Sequence, residues 1–188
     1  MRTTPRALLA SAMLAGLALT PVSSIAAAPA AQAAPYCGIH WGSLPKVTGY
    51  DVEQAPLTDV RAGRHDCFDR VVLDVSGDAG EYSVRYVNTY RAPGSGQALS
   101  LRGGAKLEVL VGNPTYDADG DPVYDPARPA ELVGTTGYRT LRQVRLGGSF
   151  EGQTSIGMGV RARLPMRAFV LDGPGDGQRL VIDVAHRW

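Results

Sequence analysis

From Leu57 onward, short apolar runs alternate with Gly, Pro, Asn and Asp punctuation at the spacing expected of an all-β domain. No segment longer than about ten residues repeats its apolar positions with a helical period. The pattern predicts seven strands: RVVLDV (70–75), EYSVRYVNTY (81–90), AKLEVLV (105–111), TLRQVRLGGSF (140–150), SIGMGVRARL (155–164), MRAFVLD (166–172) and RLVIDVA (179–185). In the second, Tyr82, Val84 and Tyr86 share one face and Ser83, Arg85 and Val87 the other. In the third, Leu107, Val109 and Val111 alternate with Glu108 and Leu110. In the fifth, Ile156, Met158, Val160, Ala162 and Leu164 form an apolar row opposite Arg161 and Arg163. Strands buried on one face and wet on the other need this alternation. The fold class that follows is all-β, an antiparallel β-sandwich. PGSGQ (93–97) and NPTYDADGDPVYDPARP (113–129) are rich in turn formers and read as exposed loops.

One echo runs through the pattern. RVVLDV (70–75) and RLVIDV (179–184) share Arg, three aliphatics, Asp and Val. Within each strand the Arg and Asp are four residues and roughly 13 Å apart, too far to pair. If the two strands are antiparallel neighbours, one register sets Arg70 opposite Asp183, Val72 opposite Val181 and Asp74 opposite Arg179, closing both charge pairs at once. A parallel in-register pairing opposes like charges; the remaining alternative is that the strands lie in different sheets. Either way Val71, Leu73, Val75, Leu180, Ile182 and Val184 are expected in the core.

The first 33 residues change the picture. Arg2 and Arg6, an apolar stretch from Ala7 to Leu19 and a small-residue run ending AQA at Ala33 read as a secretory signal peptide cleaved after Ala33. Tyr36 before Cys37 does not suit a lipid anchor. Without the leader, the 19 Lys and Arg fall by two to 17 against 18 Asp and Glu, a formal charge of −1. Such balance argues against nucleic acid and against anionic membranes as partners, and no membrane insertion is expected after cleavage. Residues 34–54, with Pro35, Gly38, Gly42, Pro45 and Gly49, show no periodicity and read as an N-terminal arm; residues 55–188 form the domain. Cys37 and Cys67 meet an oxidising compartment, so a disulfide between them is expected to pin the arm.

Candidate chemistry is sparse. His65, Asp66 and Cys67 could be imagined as a thiol with its base, but an oxidised cysteine attacks nothing. His40, His65 and His186 have no zinc-ligand spacing. There is no GxSxG elbow, and Ser95 and Ser149 sit in glycine-rich contexts without a recognisable partner. In DADGDPVYD, Asp117, Asp119 and Asp121 match the first, third and fifth places of a calcium loop. The loop then fails, with Pro122 where its glycine belongs and Arg128 in place of the bidentate Glu; a solvated turn is the stronger reading and calcium the weaker alternative. Arg85, Arg161 and Arg163 on outward faces are the candidate binding residues, since guanidinium forks suit carboxylates. Tyr116, Tyr124 and Tyr138, in or near loops, offer rings for sugars or partner side chains.

WGSLPK (41–46), GRHDCFDRVVLDVSG (63–77), YSVRYV (82–87) and FEGQTSIGMGVRARLPMRAFVLDGPGDGQRLVIDV (150–184) resemble the AMIN-like domain of secreted actinobacterial envelope proteins. That family is similar to the AMIN domains of cell-wall amidases, and the resemblance implies a non-catalytic β-sandwich that binds peptidoglycan or another wall component. It carries no active-site residue and no cofactor. No amidase domain follows, so the module is expected to act alone, secreted or associated with the cell wall. Its expected partners are wall glycan or peptide stems. The rival readings are an adaptor that binds another envelope protein and an unrecognised cell-wall hydrolase, which would need a pocket of converging carboxylates or histidines.

Overall fold

The computed structural model describes residues 35–49, 55–173 and 175–188; the signal-peptide expectation for residues 1–33 and the end of the arm at 50–54 lie outside them. Among the described residues nine strands follow in chain order: β1 (Lys46–Val47), β2 (Leu57–Arg64), β3 (Phe68–Val75), β4 (Tyr82–Val87), β5 (Ala105–Val111), β6 (Leu141–Phe150), β7 (Gln153–Val160), β8 (Met166–Asp172) and β9 (Gln178–Ala185). They form a five-stranded sheet, β1-β4-β5-β7-β6, and a four-stranded sheet, β2-β3-β9-β8, antiparallel throughout. The two sheets pack together as the alternation predicts. Val71, Leu73, Val75, Leu180, Ile182 and Val184 meet Val84, Leu107, Val109, Ile156, Met158 and Val160 in one core.

The echoed strands are neighbours in the expected register, with Arg70 opposite Asp183, Val72 opposite Val181 and Asp74 opposite Arg179. Only one of the two charge pairs closes. Arg70 grips Asp183, but Asp74 is taken by Arg61 from β2, at 2.6 Å. Arg179 turns instead to the carbonyl of Asp172.

Four strands depart from the expected pattern: β1 lies in the arm read as aperiodic, β4 stops at Val87 rather than at residue 90, and β2 and β7 differ as well. β2 was not legible, because a register shift between Leu57 and Asp59 breaks its period and leaves Leu57 and Val60 as its only fully buried side chains. β7 stops at Val160 rather than at residue 164, since the chain leaves the five-stranded sheet there to begin β8 in the other. The crossing is clamped by Tyr86, whose hydroxyl donates to the Leu164 carbonyl at 2.6 Å and accepts the Leu164 N–H at 2.9 Å. Arg161 and Arg163 therefore lie in a crossing turn, not on a strand face.

The outer face of β7 is also buried. Residues 88–104 fold back across it, with Tyr90 fully buried and its hydroxyl 3.0 Å from the Ser155 hydroxyl. Glycines at 157 and 159 make the room: a Cβ at Gly159 would stand 1.9 Å from the Arg102 carbonyl oxygen. Gly159→Ala is expected to cost at least about 2 kcal/mol, because backbone rather than a flexible side chain blocks the methyl. Urea unfolding measures it, and an unchanged midpoint would show that residues 88–104 are not held against the sheet.

Candidate binding face

The outer face of the four-stranded sheet gathers what the sequence scatters. Across its strands run three rows: Asp74, Arg179 and Leu171; Arg61, Val72, Val181 and Phe169; and Gly63, Arg70, Asp183 and Arg167. Arginines thus surround an aliphatic centre whose Val72 and Val181 are buried. Period-2 geometry fixes this arrangement: residues facing outward on β3 and β9 are those between the core aliphatics.

Asp183 anchors the third row. Its carboxylate is fully buried and accepts hydrogen bonds from Arg70 (Nε 2.6 Å, Nη2 2.9 Å) and from Arg167 (Nε 2.8 Å). A buried carboxylate is tolerable only when paired in this way. The hydrogen bond to Asp183 raises the Arg70 guanidinium above its ordinary pKa, against an opposing effect of burial.

Aromatic rings flank the two guanidiniums. Arg167 lies 4.9 Å from the ring centre of Phe169, 5.4 Å from that of Phe68 and 5.5 Å from that of Trp41, while Arg70 lies 5.2 Å from Phe68 and 5.6 Å from Phe169. His65 stacks on Phe68 at 4.5 Å. The arm supplies Trp41, held by its Nε1–H on the Tyr36 carbonyl, by the Met166 N–H on the Gly42 carbonyl, and by the Cys37–Cys67 disulfide. The disulfide is as expected from the sequence.

The arginines singled out from the sequence are dispersed. Arg85 faces outward on β4, where both Nε and Nη2 donate to Glu108 Oε2 at 2.9 and 2.6 Å. It borders a cavity of about 230 Å³ with Glu81, Leu110 and Gln153. Arg163 borders a different one, of about 220 Å³, with Lys106 and Asn88, and stacks 4.9 Å from the Tyr86 ring centre. Arg161 donates to the His186 carbonyl. The three do not form one constellation.

Asp117, Asp119 and Asp121 form a turn: Asp117 Oδ1 accepts the N–H of Asp119 at 3.0 Å and of Asp121 at 2.9 Å. Among the described residues no group of three or more His, Cys, Asp or Glu side chains is placed to hold a metal ion. Of the tyrosines, Tyr116 accepts the Gly152 N–H, and Tyr124 and Tyr138 pack against the core.

One buried polar pair was missed from the sequence. His186 Nε2 lies 3.1 Å from Asp69 Oδ1, while Asp69 Oδ2 accepts the N–H groups of Thr140 and Leu141. It stitches β3 and the end of β9 to the start of β6. No nucleophile adjoins it among these contacts, so the arrangement is a fastening.

Two packed antiparallel sheets with a filled interior define the class, a β-sandwich with a charged, aromatic outer face. The AMIN-like domain model matches residues 55–186, well over half of the chain, and the chain belongs to that family. Domains of this family are generally non-catalytic binding modules related to the cell wall, which sets the protein in a cell-envelope context. No curated protein and no solved structure matches the chain. Among the described residues, no helix is long and apolar enough to cross a membrane.

Proposed function

We propose that the protein is a secreted, non-catalytic module that binds peptidoglycan through the outer face of its four-stranded sheet. The observation that carries this reading is the lattice of Arg70 and Arg167 with Trp41, Phe68 and Phe169 around a buried carboxylate. Guanidinium forks recognise the carboxylates of peptide stems, and aromatic faces suit the apolar faces of sugar rings. Asp183 takes the Nε and Nη2 side of both guanidiniums and fixes them before any ligand arrives, which leaves Nη1 of each to meet a carboxylate and lowers the ordering cost of binding.

Co-sedimentation of the intact protein with purified peptidoglycan tests the reading. Retention of the parent protein is expected, together with a loss of about tenfold for Trp41→Ala, equivalent to roughly 1.4 kcal/mol. The triple variant Arg85→Ala, Arg161→Ala, Arg163→Ala serves as the comparison. Loss confined to that triple variant would move the site to the other side of the sandwich, and absence of retention in the parent would reject peptidoglycan. The adaptor reading rests on Leu44 and Trp188, 73% and 71% exposed beside Arg163, and gains only in the last case.

A further inference from the structure

We infer that the outer face holds a preformed site for a terminal carboxylate bearing a short aliphatic group, built by Arg61, Arg70 and Arg179 around Val72 and Val181. The inference rests on the peptidoglycan reading only for the origin of that group.

Its basis is the echoed motif. Two copies of Arg-aliphatic-Asp paired antiparallel generate a local two-fold pattern in which two Arg–Asp pairs should flank the central valines. The symmetry is broken on one side. Arg61 takes Asp74 through Nε and Nη2, at 2.6 and 2.8 Å, so that two arginines stand near one carboxylate. Arg179 donates Nη2 to the Asp172 carbonyl and, among the described residues, makes no ion pair with a carboxylate. A guanidinium without a carboxylate partner keeps N–H donors for a ligand oxygen.

The three arginines open onto a single cavity of about 250 Å³, lined also by Ala62, Gly63, His65 and Leu171, and no acidic side chain lines it. Asp59 on β2 accepts the Val60 N–H and, with Asp74 and Asp176, borders an adjoining cavity onto which Arg61 and Arg179 also open. Ligand pockets commonly run to about 300–1,000 Å³, so this space suits an end group rather than a whole saccharide. The walls decide its chemistry. Val72 and Val181 form an apolar floor and Leu171 an exposed apolar rim. A carboxylate with a methyl-sized substituent covers that surface while its oxygens meet the guanidiniums; a bare phosphate leaves the aliphatic part wet.

Titration of the intact protein with N-acetyl-alanyl-alanine, followed by NMR shifts, tests the site. Binding is expected, with the C-terminal carboxamide of the same peptide at least about tenfold weaker. The double variant Arg61→Gln, Arg179→Gln is expected to lose about tenfold for the carboxylate with little change in melting temperature, because both side chains are partly exposed. Arg102→Gln, on the opposite sheet's covering segment, should bind as the parent does. Equal affinity for acid and amide, an unaltered double variant, or inorganic phosphate binding more tightly than the dipeptide would each overturn the inference. Sedimentation with peptidoglycan separates the two readings: retention without dipeptide binding defeats this site alone, and dipeptide binding without retention defeats the wall reading alone.

Discussion

Replacing Arg70 and Arg167 together by alanine is expected to lower stability by about 3–5 kcal/mol, the largest loss available on this face without touching the core. Asp183 has no exposed surface, and those two guanidiniums are its counter-charges. Removing them leaves the Asp183 carboxylate in the sheet without its counter-charges. The sign can be checked within one series. Adding Asp183→Asn to the double variant should restore about 2 kcal/mol, because the stranded charge disappears, although the same change in the parent protein should destabilise. Chemical unfolding of the four proteins gives the cycle. No recovery in the triple variant would show that the loss came from the arginine stems packed on Phe68 and Phe169, not from charge.

Replacing Cys37 and Cys67 by serine is expected to cost about 3 kcal/mol, since the bond closes a loop with a sequence separation of 30 residues in the unfolded chain. For a chain of this size that corresponds to a fall in melting temperature of about 6–12 °C. The same substitution should weaken wall retention, because Trp41 reaches Arg167 and Phe68 from the arm that the disulfide secures. Reductant should reproduce both effects in the parent protein. An unaltered melting temperature would mean that the Gly42–Met166 bridge holds the arm by itself.

The core was readable because period-2 alternation is a local property. Val84, Leu107, Val109, Ile156 and Met158 announce their face in a few residues of sequence, and each is buried there. Even the register of β3 on β9 could be written down, because directly opposed like charges disfavour a parallel pairing, although the sequence left open that the strands lie in different sheets. What failed was non-local. Asp74 was assigned to Arg179, but the register shift in β2 delivers Arg61 to it first. Arg161 and Arg163 sit in a run whose alternation continues past Val160, while the chain itself leaves the sheet there. The candidate face was illegible for a similar reason. Trp41, Phe68, Arg167 and Phe169 come from the arm, β3 and β8, and no short window of sequence holds them together.

The order of strands also sets a timetable. β9 is an inner strand of its sheet, and its partner β3 precedes it by 113 residues at the Arg70–Asp183 pair. At ordinary rates of synthesis the ribosome needs on the order of ten seconds to cover that distance. Throughout that interval the β2–β3 hairpin has no neighbour on its β3 edge, and the backbone groups that β9 will take stand open to any extended chain nearby. Completion of the sheet is therefore deferred until β9 itself has emerged, and the growing polypeptide stays threadable until then.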